Sequence, residues 1–559
     1  MLNAIDRQRL AGFDAFDLHG ALTRLDDDRF VARVWQHDPD LWKPGDAAHA
    51  KVIKNRLGWL TVPEMMEACL ADIVGFADSV RRDGIKHAVL MGMGGSSLCP
   101  IVLRQTFGVR SGYPELIVLD STSPAAVIEV EEKIDIKATL FIDASKSGST
   151  LESHSFAEYF LAKATAAFGS AAEAAKRFAC ITDPGTKLAT AGRDRGYRRV
   201  FENPPDIGGR YSALSYFGLV PGAVAGVDVA GLLTRALRMA QACAAGVIAD
   251  RHPAATLGAA LAQAAFRGGR DKITFLASPQ IATIGMWLEQ LIAESTGKEG
   301  KGLIPVADEP PGPPGAYGDD RSFVSIKCGD DSAHEALCRS LEEAGHPVTR
   351  IHLRDPLDVA EEFFRWEFAT ATAGALLGID AFDEPNVQES KDNTNRILGE
   401  GVKADSSRIA PTDEKALVEH VGQLRRGDYL ALQAFIMPTQ ARTQVVQRAR
   451  AALRDATNAA TTFGYGPRFL HSTGQLHKGG PNTGVFIQLV GTEGGSVAIP
   501  GAPFDFGTLI AAQSLGDLQS LKAHGRRVIS IDLGDDIDDG LAAFANTVDK
   551  VAPHLAPAS

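Results

Sequence analysis

Two short segments rich in glycine and hydroxyl side chains each follow an apolar run. Residues 92–97 read GMGGSS, and residues 145–150 read SKSGST. Glycine lets a backbone approach an anion, and a helix that begins after such a turn offers unpaired N–H groups. Because parallel sheets bind ligands at the carboxyl ends of their strands, both segments can contact one phosphate group. The candidate ligands are Gly95, Ser96, Ser145, Lys146, Ser147 and Thr150.

Each segment also has an interpretation that needs no ligand. The first can be a tight turn and nothing more. In the second, Ser149 or Thr150 can cap the helix that follows. Capping accounts for one hydroxyl, whereas the segment carries four. We therefore favour a phosphate-binding turn at residues 145–150.

Gln290, Glu294 and Lys298 are spaced four residues apart, which places them on one face of a helix. Glu294 follows an apolar stretch, and burial there would raise its pKa toward that of a useful general base. The alternative is a glutamate–lysine pair on a solvated helix face. Gly297 argues against an uninterrupted surface helix and predicts that the helix ends there.

Arg210 lies in the sequence GGRYS, residues 208–212. Two glycines beside it suit a cationic side chain in a tight backbone, where it can stabilise a developing negative charge. An arginine that binds carboxylates between domains is the alternative.

A turn at residues 382–386 enters a helix that carries Lys391, and two histidines, His471 and His477, follow later. Their six-residue spacing does not place them on one helical face, and no HExxH motif occurs. We therefore expect neither a metal nor another cofactor. His471 is the candidate for proton exchange near neutral pH, because imidazole has an ordinary pKa of ~6.5.

The bulk composition is that of a soluble globular protein. Of 559 residues, 45% are hydrophobic and 23% charged, and the net charge is −12. This charge argues against a nucleic-acid or anionic-membrane partner, but it does not exclude a small phosphorylated substrate. The six cysteines have no disulfide or metal spacing. With no secretory pattern or membrane-spanning apolar run at the N-terminus or elsewhere, we expect a cytoplasmic protein.

Short apolar strands alternate with helices from about residue 85 onward, which predicts an α/β fold with parallel sheets covered on both faces. We divide the chain into a helical N-terminal segment (1–75), two doubly wound parallel-sheet domains (76–220 and 221–400) and a C-terminal α/β domain (415–559). A long helix is predicted near residues 440–461, and Phe469-Leu470 is interpreted as a strand end that presents His471.

These segments together resemble the phosphoglucose isomerase family. Residues 92–98 are similar to its GxGGSxLGP loop, 145–150 to its SKTFTT loop, and 294–298 to its ESNGK segment. Residues 208–212 are identical to its GGRYS, and 382–391 resemble FDQxGVExxK with the lysine in register. The resemblance covers about residues 50–395. The remainder resembles the isomerase half of bacterial transaldolase–phosphoglucose isomerase fusion proteins.

The resemblance implies SIS-type phosphosugar-binding domains and interconversion of glucose 6-phosphate and fructose 6-phosphate through an enediol, a step of glycolysis and gluconeogenesis. It implies that Glu294 moves the proton between C1 and C2, that Arg210 steadies the enediolate, and that Lys391 and a histidine assist ring opening. Gln290 occupies a substrate-binding position of the family. The phosphate would be held by Ser96, Ser145, Ser147 and Thr150 with nearby amides.

Three positions depart from the family pattern. The usual Thr-Phe of the phosphate loop is Ser147-Gly148, the asparagine of ESNGK is Thr296, and His471 follows Lys391 where the family histidine precedes the lysine. Two alternatives stay open: a non-catalytic phosphosugar-binding regulator, and an isomerase that also accepts mannose 6-phosphate. The sequence also leaves open homo-oligomerisation and a functional pairing with transaldolase.

Overall fold

The computed structural model describes residues 4–329, 332–402 and 407–558. It confirms the predicted α/β class, with three sheets built almost wholly from parallel strands. The strands are β1 Gln8–Ala11, β2 His87–Gly92, β3 Glu115–Leu119, β4 Thr139–Ala144, β5 Phe178–Thr182, β6 Arg199–Glu202, β7 Lys272–Ala277, β8 Ile304–Val306, β9 Arg321–Cys328, β10 Val348–Leu353, β11 Tyr429–Phe435, β12 Ala460–Tyr465, β13 Gly484–Val490 and β14 Arg527–Asp532.

Helices cover the faces of these sheets and form most of the N-terminal segment. They are α1 Leu18–Asp27, α2 Phe30–Trp35, α3 Ala47–Lys54, α4 Val62–Ala68, α5 Leu70–Arg82, α6 Leu98–Phe107, α7 Pro124–Lys133, α8 Leu151–Phe168, α9 Ala171–Ala175, α10 Lys187–Arg195, α11 Tyr216–Val224, α12 Val229–Ala242, α13 Pro253–Gly268, α14 Ile284–Thr296, α15 Ser332–Glu343, α16 Val359–Leu377, α17 Pro385–Glu400, α18 Glu414–Val421, α19 Gln440–Thr457, α20 Gly474–Gly479, α21 Phe506–Ala523 and α22 Ile537–Val551. None of the described helices is long and apolar enough to cross a membrane.

The first sheet has the strand order β3-β2-β4-β5-β6, and all its strands are parallel. The chain passes from β2 to β3 on one side and then crosses to β4 on the other, so the strand order reverses between β2 and β4. Gly92 at the end of β2 lies opposite Ala144 at the end of β4. This is the crevice where doubly wound sheets bind ligands, and residues 92–97 and 145–150 both leave the sheet there.

The second sheet has the order β1-β10-β9-β7-β8, and β1 is antiparallel to β10. The N-terminal segment at 1–75, predicted as helical, therefore also contains a strand at Gln8–Ala11; its residues 1–3 lie outside the described part. Four residues carry too short a pattern to identify a strand from sequence, and this one forms only because the edge of β10 is available.

The third sheet, β12-β11-β13-β14, is parallel and is joined to the second by a buried ion pair. Arg321 of β9 donates to both carboxylate oxygens of Glu309, at 2.9 and 3.1 Å. Glu309 in turn accepts from the backbone N–H and the hydroxyl of Thr461 in β12, each at 2.8 Å. These contacts fix the orientation of the third sheet relative to the second.

The helix predicted near 440–461 ends earlier, at Thr457. Asn458 then adopts a left-handed conformation and closes the helix, and β12 begins at Ala460. The interpretation of Phe469-Leu470 as a strand end is also wrong. Because β12 stops at Tyr465, residues Arg468–His471 form a 3₁₀ turn after the strand.

Candidate active site

The glycine-rich turn after β2 packs directly against two other parts of the site. A Cβ on Gly95 would overlap the carbonyl oxygen of Gly209, next to Arg210. Gly94 has φ +54°, and a Cβ there would lie 2.6 Å from the carbonyl oxygen of His471 and 2.7 Å from Nε2 of Gln290. Glycine is therefore required at both positions, because no side chain fits between these groups. The neighbouring Ser96 is buried.

The turn at residues 145–150 keeps its hydroxyls together. Ser145 and Thr150 hydrogen-bond through their hydroxyls at 2.8 Å, and Ser147 and Ser149 do so at 3.0 Å. Thr150 is the N-cap residue of α8, but its side chain makes no capping hydrogen bond. The capping interpretation therefore does not account for the hydroxyl of Thr150, and the N-terminus of α8 offers its N–H groups to a ligand.

Lys146 points away from this cluster of hydroxyls. Its ammonium pairs with Asp183 and donates to the carbonyl oxygen of Pro205 at 3.3 Å. The lysine therefore anchors the turn to the loop after β5 and is engaged in that role before any ligand arrives.

Arg210 is 2% exposed and uses most of its donors on the turn at residues 381–384. Its Nη2 donates to the carbonyl oxygens of Ala381 and Asp383, at 2.8 and 2.9 Å, and its Nε donates to Ser295. Its Nη1 lies 3.0 Å from Glu384 and 3.5 Å from Oε1 of Glu294. Arg210 thus binds carboxylates between units, as one sequence interpretation held, and also faces the candidate base.

Glu294 lies on α14 and is 8% exposed. Burial raises the pKa of its carboxyl, although the positive charge of Arg210 opposes the shift. Gln290, one turn earlier, donates to Glu294 at 3.2 Å and to the carbonyl oxygen of His471 at 2.8 Å. One amide therefore connects the candidate base with the segment that carries the candidate acid.

Lys298 stands beyond the end of α14, since the helix closes at Gly297 as predicted. It is buried, and it donates to the carbonyl oxygen of Asp380 at 2.6 Å and to the carboxylate of Asp383 at 2.7 Å. The interpretation of Glu294 and Lys298 as a solvated ion pair is therefore wrong, because Lys298 is buried and binds the 380–383 turn. His49 completes this cluster, 2.8 Å from Asp380. His49, Asp380 and Asp383 have the donor types of a metal site, but Lys298 already supplies a cation there.

His471 forms a pair with a residue that sequence reasoning did not select. Its Nε2 lies 2.9 Å from Oε1 of Glu152, in the first turn of α8. Glu152 is buried, which alone would raise its pKa, but the interaction with His471 holds that pKa below its ordinary value. Gln513 of α21 also donates to Glu152, at 2.7 Å. The only sequence signal was an acidic residue just after the hydroxyl-rich turn, a position where helices commonly carry acids.

Lys391 and His471 line the same cleft, which has a volume of about 70 Å³ and also contains Ser149, Glu152 and Gln513 in its wall. Lys391 lines this cleft from α17. That helix begins at Pro385, which agrees with the predicted turn at residues 382–386. His477 faces elsewhere: it is buried beside Gln433, and burial drives its pKa well below the ordinary value. The structure therefore distinguishes the two histidines.

Comparison with known proteins agrees with this geometry. The family model for phosphoglucose isomerase matches residues 65–304, which include the glycine-rich turn, the hydroxyl-rich turn, Arg210 and Glu294. The chain is therefore similar to the phosphoglucose isomerase family over somewhat less than half of its length. The glucose-6-phosphate isomerase of Rubrobacter xylanophilus is 29% identical over 63% of this chain and 91% of its own length. A glucose-6-phosphate isomerase of Thermus thermophilus is 27% identical over 70% of this chain and 99% of its own length.

Two solved structures share much of the fold of this chain. A hypothetical protein of Thermus thermophilus has a TM-score of 0.59 at 24% identity, covering 70% of this chain and 99% of that one. A glucose-6-phosphate isomerase from Chlamydia trachomatis has a TM-score of 0.50 at 19% identity, covering 66% of this chain and 78% of that one. Lys391 and His471 lie beyond the stretch that the family model matches, so their assignment depends on the geometry of the cleft.

Proposed function

We propose that this protein is a glucose-6-phosphate isomerase, which interconverts glucose 6-phosphate and fructose 6-phosphate by proton transfer within the substrate. The observation that carries the proposal is the arrangement around Gln290. This amide joins Glu294, a buried carboxyl with a raised pKa, to the backbone of His471, and Arg210 lies 3.5 Å from Glu294.

In this proposal Glu294 moves the proton between C1 and C2. A buried carboxylate removes a proton from one carbon and returns it to the next, and a pKa above the ordinary value brings it closer to the operating pH. The intermediate carries negative charge on oxygen. Arg210 stabilises that charge through the side of Nη1 that faces Glu294, while its contacts with Ser295 and the 381–384 turn, including one from Nη1 to Glu384, hold the guanidinium rigid.

Ring opening precedes the proton transfer, because hexose phosphates are mostly cyclic in water. We assign this step to His471, which exchanges a proton with the ring oxygen. Glu152 orients the imidazole through the 2.9 Å contact. Lys391 lies in the wall of the same cleft and assists by its positive charge.

The phosphate is assigned to the hydroxyls of residues 145–150 and to the N–H groups at the start of α8, together with Ser96. Two features support this choice. The turn leaves the first sheet at the point where the strand order reverses. The Thr150 hydroxyl is also not used as a helix cap. Lys146, paired with Asp183, contributes positive potential and anchors the turn.

An assay that couples glucose 6-phosphate production from fructose 6-phosphate to its oxidation tests the proposal. We expect turnover with the wild-type chain and no added metal. A non-catalytic regulator would bind fructose 6-phosphate without converting it, so binding without turnover would refute the isomerase assignment. Mannose 6-phosphate, tested in parallel, decides whether the C2 epimer is accepted. All six cysteines are free thiols, in keeping with the cytoplasmic location that we also propose.

A further inference from the structure

A second cavity lies directly behind the segment that carries His471. It has a volume of about 230 Å³ and is bounded by α14 and the end of β8 on one side and by β12 and α19 on the other. Arg468, Phe469, Ser472 and Thr473 form part of its wall, whereas Leu470 and His471 line the reaction cleft. A single short segment, 468–473, therefore separates the two cavities, which we call the junction cavity and the reaction cleft.

The wall of the junction cavity carries more acidic groups than basic groups that are free of an acidic partner. Glu289 and Asp308 place two carboxylates in its wall, and Arg450 places one guanidinium there. Arg468 also lines it, but that side chain is neutralised by Asp120 through two contacts of 2.6 and 2.7 Å. When both acids are ionised, the wall carries one excess negative charge, which a single cation of the ligand would balance.

Arg450 supplies only one positive charge for the two acids, and its terminal nitrogens donate to backbone carbonyl oxygens and to Oε1 of Gln447. Nη2 donates to the carbonyl oxygens of Ala307 and Thr461, and Nη1 donates to that of Asp308 at 3.1 Å. The side chain is 1% exposed, and its Nε has no partner among the described residues. A buried donor left without an acceptor costs about 1–3 kcal/mol, so a ligand oxygen at this position is favoured.

The rest of the wall suits a hydroxylated molecule. Thr443 and Tyr465 present hydroxyls that bond to each other at 2.9 Å, and Gln447 presents an amide. The rings of Phe463 and Phe469 supply apolar faces. Binding sites for polyols combine such polar groups with aromatic surfaces, since the carbon skeleton is apolar and its hydroxyls are not.

We propose that the junction cavity binds a small polyhydroxylated amine and that its occupancy changes the position of His471. The ammonium lies between Glu289 and Asp308, and the hydroxyls contact Thr443 and Gln447. Phosphorylated sugars are excluded, because a phosphate would face the two carboxylates. Burial and the neighbouring Asp308 raise the pKa of Glu289 to about 8, so the affinity for the amine should increase as pH rises toward that value and Glu289 gains its negative charge.

The experiment uses the full chain and calorimetric titration with 1-amino-1-deoxysorbitol, with sorbitol as the uncharged analogue. We expect the amine to bind at least tenfold more tightly than sorbitol. Glu289→Gln keeps the shape of the side chain and loses only a 3.4 Å contact with the N–H of Ala307, so the fold should survive while amine affinity falls at least tenfold. Glu419→Gln, which removes an exposed carboxylate outside the cavity, should change nothing.

The second measurement is turnover of cyclic fructose 6-phosphate with and without the amine. An effect of the amine on turnover depends on the proposed role of His471, whereas binding of the amine does not. The two parts of the proposal can therefore fail separately. Equal affinity for amine and sorbitol, or unchanged affinity in Glu289→Gln, overturns the ligand assignment. Amine binding that leaves turnover unaltered overturns the coupling. Absence of any turnover in the wild-type chain would instead refute the isomerase function and leave the binding result standing.

Discussion

Glu294 combines two demands that conflict in most proteins, since it is buried and yet has to ionise. Burial alone would favour the neutral acid. Arg210, 3.5 Å away, and Gln290, which donates at 3.2 Å, both stabilise the carboxylate. The outcome is a raised pKa, but one raised less than burial alone would produce. The same groups thus keep the base usable and receive the charge that it generates on the substrate.

Glu294→Gln should reduce kcat by roughly 10²–10⁴-fold, the usual contribution of a general base, while sugar-phosphate binding stays nearly intact. Steady-state kinetics and equilibrium binding measure the two effects. Since the base has to be ionised, wild-type kcat/KM should fall as pH drops through a pKa above that of an exposed glutamate. The matched control is Glu299→Gln, an exposed acid five positions further along. Near-wild-type activity of Glu294→Gln would remove Glu294 from the mechanism.

His471 and Glu152 act as a pair, so the two steps of the reaction can be separated. His471→Ala should impair turnover of the cyclic sugar, whereas exchange of solvent protons into the open-chain form should survive, because Glu294 is untouched. Glu152→Gln should have a weaker effect of the same kind. His524→Ala is a suitable control, since His524 also lies 2.9 Å from a glutamate but at the surface. Equal loss of both activities would show that His471 is not a dedicated ring-opening residue.

At the scale of elements, the turns between strands and helices determine where the ligand groups meet. The turns after β2 and β4 leave the first sheet side by side, and Gly94 and Gly95 let the first of them contact the segments of His471 and Arg210. The hydroxyls of the second turn are held in hydrogen-bonded pairs. The proposed phosphate site thus depends on backbone proximity as much as on side-chain identity.

Ser147→Ala combined with Thr150→Ala should raise KM strongly and leave kcat less affected, because the phosphate contacts are remote from the reacting carbons. Inorganic phosphate should compete with substrate at the same turn. Initial-rate kinetics with and without phosphate test both statements. Thr190→Ala removes an exposed hydroxyl from the neighbouring α10 and serves as the control. An unchanged KM in the double variant would contradict the assignment.

Elements with long, regular patterns could be predicted from the sequence, and short ones could not. Helix α19 begins at Gln440, where the long helix was predicted to begin, and α14 ends at Gly297 as expected. β8 has three residues and β1 four, and each forms because a neighbouring strand offers its edge. Glu152 could not be identified for a related reason. Its function depends on His471, 319 positions away, and local sequence gives no sign of that contact.

At the scale of the whole molecule, the candidate catalytic residues come from all three sheet-containing units of one chain. Glu152 follows the first sheet, Glu294 belongs to the helix after β7 in the second, and His471 follows β12 in the third. The positions of these groups therefore depend on the junctions between units. A buried charge pair at such a junction is Arg321 with Glu309, which also binds Thr461 of the third sheet.

Glu309→Ala should destabilise the protein by about 3–5 kcal/mol, the usual cost of leaving one partner of a buried ion pair uncompensated. Both side chains are buried, and the backbone N–H of Thr461 would also lose its acceptor. A urea titration followed by intrinsic fluorescence measures the loss, with Glu419→Gln as the exposed control. An unchanged transition midpoint would contradict the role of this pair.

The pH dependence gives an independent test of the same junction. Burial alone would raise the pKa of Glu309, but Arg321 holds it below the ordinary value. A carboxyl with a depressed folded-state pKa contributes stability that is fully present above its unfolded pKa of ~4.3 and is lost as pH falls further. Wild type should therefore lose stability more steeply than Glu309→Ala between about pH 4.3 and the lower folded-state pKa. Stability curves of wild type and Glu309→Ala that fall equally steeply over this pH range would contradict the linkage.

If the junction also positions His471, Glu309→Ala should lower kcat on the cyclic sugar more than it raises KM, because the proposed phosphate turn belongs to the first sheet and is not displaced.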